Sequence, residues 1–298
     1  MVGLAGEAII FAILAGLLFA IANMFMRVGV IKGDPVYGTA VSTLTGSMIL
    51  GITLVMLNQI TAVLTLGVFD LVLFAVAGLL NFTVSRTLFF VSSSIIGVAR
   101  AQPIISLNSI VAVVVGLTFL AEKLTLSEGL SVIFMLSGLI LISLSNPEKR
   151  RVSQSKFSAG LLYALIGSIA VGFSPILIAI GFRSGAQPIV GISISYFFAS
   201  LGWGLVLLFG RWLRFPGEGR KVIRPFVIQG FFVSLAQLNR YFSIYFGPVV
   251  LVTPIFTSVS PILTALFAYI FLQRIEQVNF RVWLSIAFVV LGIYLAST

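Results

Sequence analysis

Cysteine and histidine are both absent from the 298 residues, and acidic residues number only 8. The first absence excludes disulfides and thiol nucleophiles, the second excludes imidazole bases, and together they remove nearly all zinc, haem and iron–sulfur ligation. No cofactor or metal is expected, and the chain is not expected to be an enzyme. Charge of either sign is scarce. Only 9% of residues are Asp, Glu, Lys or Arg, against roughly a quarter in a soluble domain whose surface must be wetted. What is present is apolar: 59% hydrophobic residues and a mean hydropathy of +1.18. A water-soluble globule is excluded, and an integral protein of the lipid bilayer is what remains.

A spanning helix needs about 20 mostly apolar residues. Apolar runs interrupted by Gly, Pro, Asn or charge clusters place ten spans at 8–30, 36–57, 71–91, 95–120, 126–145, 158–182, 188–210, 222–246, 249–272 and 279–297. All are expected to be helices, because an open strand in lipid leaves its amides unpaired and the alternation of a barrel strand is missing. Residues 58–69 read as an interfacial connection, with 146–156 and 211–224 as aqueous loops. The opening MVGLAGE has no basic residue ahead of its apolar run, so the first helix is expected to remain rather than act as a cleaved leader.

The two halves can be laid on each other. They read as a first five-helix repeat at 1–148, a basic linker at 149–157 and a second five-helix repeat at 158–298, forming a single transport unit. Asp34-Pro35-Val36-Tyr37-Gly38 matches Ala186-Gln187-Pro188-Ile189-Val190-Gly191 in the pattern P-x-x-G, and Gln102-Pro103-Ile104 matches Thr253-Pro254-Ile255. From those prolines, Phe119 to Leu124 (FLAEKL) falls on Ile270 to Ile275 (IFLQRI) without a gap. Because five is odd, the second copy must enter the membrane in the opposite sense, as in the inverted repeats of carriers whose substrate binds near the midplane. The expected fold is therefore an all-α membrane protein, ten helices as two inverted five-helix repeats around a central cavity.

The stretch 102–143 (QPIISLNSIVAVVVGLTFLAEKLTLSEGLSVIFMLSGLILIS) and its counterpart 253–297 resemble the EamA-type members of the drug/metabolite transporter superfamily. Both carry an early proline in the fourth helix of the repeat and a Gly-aliphatic ending in the fifth. The second copy departs from the pattern in having Gln273 where the first has Glu122. The resemblance spans essentially the whole chain. It implies ten helices, transport of a small metabolite by alternating access, and kinked fourth helices flanking the cavity, with Pro103 and Pro254 resembling gating or shaping residues.

Charges in hydrocarbon cost a few kcal/mol each and point to function. Arg86, Arg100 and Arg240 fall inside spans, whereas every acid falls at a span end or in a loop. A guanidinium without a carboxylate can be satisfied by backbone carbonyls, snorkelling, cavity water or an anionic group on a substrate. Arg86 and Arg100 flank a turn expected at the serines 92–94, about 7 Å from it at ~1.5 Å per residue, and form the favoured pair. Gln237, Arg240 and Tyr241 share a helix face, and Asn81 with Ser85 lies beside Phe82 and Arg86. Gln102, Asn108 and Asn23 complete the candidate substrate-binding set, with interhelical hydrogen bonding as their alternative role. Pro175, within span six, joins Pro103 and Pro254 as a structural candidate. Glu122 with Lys123 reads as a helix-end ion pair. Lacking histidine and a mid-membrane carboxylate, the chain favours facilitated transport or exchange over proton-driven antiport.

Outside the three embedded arginines, connections after odd spans hold 13 basic residues and those after even spans hold two, Lys123 and Arg183. The positive-inside rule then puts both termini outside, whereas the resemblance implies cytoplasmic termini. The expected location is the cell (inner or plasma) membrane, multi-pass, with a small-molecule substrate and lipid as partners and no nucleic acid. The leading reading is a secondary carrier of an amino acid or other carboxylate-bearing metabolite, working by export or exchange. The alternatives are a passive channel, an exporter of lipophilic drugs and a non-transporting scaffold.

Overall fold

The computed structural model describes residues 2–143, 153–209, 220–271 and 280–297, and within these every regular element is a helix. We number the membrane helices α1 to α10. They are α1 Val2–Lys32, α2 Pro35–Met56, α3 Val68–Ile96, α4 in two pieces (Val98–Ile105 and Asn108–Phe119), α5 Leu126–Ser143, α6 Gln154–Phe182, α7 Pro188–Phe209, α8 Arg220–Phe246, α9 Val249–Phe271 and α10 Phe280–Ser297. Among the described residues five helices, α1, α2, α3, α6 and α7, are by themselves long and apolar enough to cross a membrane. A short helix, Ile60–Leu64, occupies the interfacial connection and has no buried residue. The basic residues Lys149, Arg150, Arg151, Arg211, Arg214 and Arg274, together with Gln273 and the start of the linker, lie outside the described residues, as does the side chain of Pro103.

The repeats are interleaved. The first helix of each repeat packs on the third and fourth helices of the other: α1 on α8 and α9, and α6 on α3 and α4. α2 packs on α7 and α8, and α5 pairs with α10. Hydrophobic burial cannot drive such association within lipid, so close backbone approach and hydrogen bonding must. A Cβ on Gly78 would stand 2.1 Å from the Ser195 carbonyl oxygen, and one on Gly38 would stand 2.3 Å from the Phe226 ring. Those glycines let α3 meet α7 and α2 meet α8. Gly51, by contrast, has nothing within 4 Å of where a Cβ would be and makes no such packing.

One boundary and one ion pair differ from the sequence reading. The serines 92–94 are helical: Ser94 donates back to the Val91 carbonyl of its own helix at 2.7 Å, and Ser92 donates across to the Gly160 carbonyl of α6 at 2.8 Å. The turn falls instead at Gly97, whose φ of 89° is closed to most side chains. Glu122 is not paired with Lys123. Its two oxygens accept the backbone N–H groups of Val249 and Val250 at 3.0 and 2.9 Å, so a carboxylate of the first repeat caps the start of α9 in the second, where the helix dipole favours negative charge. Ala121, at φ 53°, turns the chain back to deliver it.

Candidate functional site

The site is built around a defect in α3. Leu79–Ser85 (LLNFTVS) is a π-helical turn between two α-helical segments. The wider turn brings Asn81, Ser85 and Arg86 onto one side, and the backbone carbonyls it loosens find partners on neighbouring helices: Thr43 donates to the Phe82 carbonyl at 3.2 Å. Irregular backbone at membrane depth is tolerated under those conditions, and π-turns are frequent at functional sites. The facing wall comes from α4, where the helix breaks between Ile105 and Asn108, and from α8 and α9.

These elements border a cavity lined by Asn81, Ser85, Arg86, Phe89, Gln102, Ile105, Ser106, Asn108, Gln237, Arg240, Phe256, Thr257 and Ser260, with Phe19 of α1 and Val171 of α6 completing it. Its volume of about 70 Å³ is several times the ~10–15 Å³ one water requires. Arg86 stands ten residues before the end of α3 and Ser260 eleven residues after the start of α9. At ~1.5 Å per residue, each lies about 15 Å from its own membrane face, so the cavity sits at mid-depth.

Arg86 is 6% exposed and Arg240 2%. Arg86 lies over the Phe82 ring at 5.0 Å and the Tyr196 ring at 5.7 Å, and its Nη2 donates to the Tyr196 hydroxyl at 3.3 Å. Arg240 lies over Phe256 at 5.3 Å and donates from Nη1 to Gln237 Oε1 at 3.4 Å, an oxygen that also accepts from Asn81 at 3.5 Å. These are long, weak bonds, and they leave Nη1 of Arg86 and Nε and Nη2 of Arg240 buried without a partner. Gln102 Oε1, Asn108 Oδ1 and Ser260 Oγ are likewise unpartnered. The cavity thus presents charged donors and neutral acceptors, and no acid is among its described lining residues.

The pairing of arginines differs from the sequence expectation. Because α3 continues to Ile96, Arg86 is too deep to pair with Arg100, which follows Gly97 closely, is half-buried, and lies over the Phe157 ring at 5.8 Å at the start of α6. Arg100 is outside the cavity lining; Arg86 and Arg240 share it. Tyr241 turns away and donates to Ser195 Oγ at 2.7 Å. Asn23 reaches Thr264 of α9 at 3.4 Å, an interhelical contact. Pro175 and Pro254 are inside α6 and α9, outside the lining. The sequence reading missed Thr257 and Ser260, although Thr253, Thr257, Ser260 and Thr264 form a hydroxyl stripe at helical spacing. It also missed Tyr196, which nothing in the local sequence distinguishes.

Ten membrane helices in two inverted repeats, with a polar cavity at mid-depth between them, are the architecture of a membrane transporter. The chain belongs to the EamA-like transporter family, whose model matches it twice, over residues 6–144 and 158–298. It is a multi-pass membrane transporter of small molecules. A solved structure described only as a crystal structure of a protein is similar over 98% of this chain and 96% of its own, with a TM-score of 0.73 and 16% identity, a likeness of fold. No curated protein matches the chain.

Proposed function

We propose that the protein is an alternating-access carrier of a small carboxylate-bearing metabolite, an amino acid or a related acid, working by export or exchange. One observation carries this reading: two buried guanidiniums turn unpartnered N–H groups into one cavity in which no described residue supplies an acid. Unpaired buried cations cost several kcal/mol, and like charges repel unless water or an anion lies between them. A carboxylate accepts from guanidinium with charge-assisted bonds and removes both penalties. Gln102 and Asn108 would accept from hydroxyl or amino groups on the same ligand, and Phe19, Phe89 and Phe256 would bound its apolar part.

The test is a panel of carboxylates, amino acids and lipophilic cations in a thermal-stabilisation assay on the purified protein. A binder at 100 times its Kd adds about 2.7 kcal/mol to the folded state. Carboxylates are expected to raise the melting temperature of the parent and of Arg100→Ala, and to raise it clearly less in Arg86→Ala and Arg240→Ala, which keep one guanidinium each. Equal stabilisation of all three variants would assign the two arginines a structural role.

A further inference from the structure

The charge of the cavity says more than that it takes an anion. Arg86 and Arg240 contribute two positive charges at 6% and 2% exposure. The described acids stand elsewhere: Asp34 at the N-cap of α2, Asp70 in the first turn of α3, Glu122 on the start of α9, Glu128 in the first turn of α5, and Glu7 near the start of α1. The Tyr196 hydroxyl accepts from Arg86. A zwitterion, whose charges cancel, leaves the closed cavity at two positive charges, and a monocarboxylate leaves it at one. A ligand with two negative charges brings it to neutrality.

The same charge bears on the transport cycle. When the cavity is open to either face, water solvates the guanidiniums; when it closes empty, both are dehydrated with no counter-ion, and low dielectric makes that costly. We propose that the carrier closes readily only around a dianion, a dicarboxylate or a phosphate monoester, and therefore works as an obligatory exchanger of such anions. This rests on the anion site of the reading above, restricts its ligand to one with two negative charges, and sets neutral amino acids and monocarboxylates aside. Binding energy from the second negative charge lowers the barrier of the loaded carrier, and the empty carrier, which lacks that compensation, does not return. Gln102 Oε1 and Asn108 Oδ1, both unpartnered, accept from water or from a ligand hydroxyl and carry no net charge of their own.

The experiment reconstitutes the full chain in proteoliposomes at neutral pH. Uptake of labelled three- to five-carbon dicarboxylates and of glycerol phosphate is measured into vesicles that are empty or preloaded with the same compound. Monocarboxylates and neutral amino acids of matched carbon number run in parallel. Preloading is expected to speed dianion uptake about ten-fold or more, the ratio that ~1.4 kcal/mol of compensation supplies, and the two dianion arms separate carboxylate from phosphate recognition. Arg86→Gln and Arg240→Gln, each leaving one charge, are expected to shift preference to monocarboxylates and to admit net uptake into empty vesicles, gains that a misfolded protein cannot show. Monocarboxylates or amino acids exchanging as fast as dianions in the parent would overturn the proposal while leaving the anion site standing. Net uptake of dianions as fast as exchange would also overturn it. Transport of neutral or cationic probes with no anion transported would remove the anion site as well.

Discussion

Arg86 and Arg240 have aromatic faces beneath them and one weak hydrogen bond apiece, so each is held in place while part of its donor fork stays unused. Burying a guanidinium at that depth costs a few kcal/mol, and the ring contacts return about 0.5–2 kcal/mol each; the remainder is available to a ligand. Tyr196 orients Arg86 through its hydroxyl. Tyr196→Phe is expected to keep the fold, lower stability by about 1 kcal/mol in a thermal melt, and weaken ligand-induced stabilisation several-fold. Gln237 differs, since one oxygen serves both Asn81 and Arg240. Gln237→Leu should therefore lower stability by more than Tyr196→Phe does, because it strands two buried donors.

At the scale of the element, close crossings and one cross-repeat cap govern the arrangement. Gly78 lies where α3 meets the Ser195 backbone, 2.1 Å from where a Cβ would fall. Gly78→Ala is expected to cost about 1–3 kcal/mol through overpacking, whereas Gly51→Ala, with open space around it, should be neutral in the same melt. Glu122 ties the end of α4 to the start of α9. Glu122→Ala is expected to lose about 1–2 kcal/mol of capping and dipole interaction, and Glu122→Gln to recover part of it. The π-turn in α3 was not legible in the sequence: LLNFTVS keeps ordinary helical periodicity, and the wider turn depends on Thr43 and neighbouring helices to satisfy its carbonyls.

For the whole molecule, orientation follows from which face collects the basic residues. Gly97 turns the chain at the face of the odd-numbered connections, so Arg100 adds to that face. By the positive-inside rule this face is expected on the cytoplasmic side, against the cytoplasmic termini that the family resemblance implies. Because the chain has no cysteine, introduced thiols report sidedness without background. Lys123 and Ser153 are both exposed, at opposite faces. A membrane-impermeant thiol reagent added outside intact cells is expected to label Lys123→Cys and spare Ser153→Cys; the reverse pattern would put the termini in the cytoplasm.

Sequence alone determined the membrane class, the number and order of spans, the inverted duplication and the embedding of Arg86 and Arg240, because each depends on local apolarity and on residue spacing along one chain; Arg100, expected inside a span, stands instead near the membrane face. Gly97 in place of the serine run, the cap made by Glu122 and the partnership of Arg86 with Arg240 were decided only in the tertiary structure. Arg86 and Arg240 lie 154 positions apart, on helices of opposite repeats. They line one cavity because α1 and α6 each pack across to the other half, and no pattern within a single span records which distant polar group it will face.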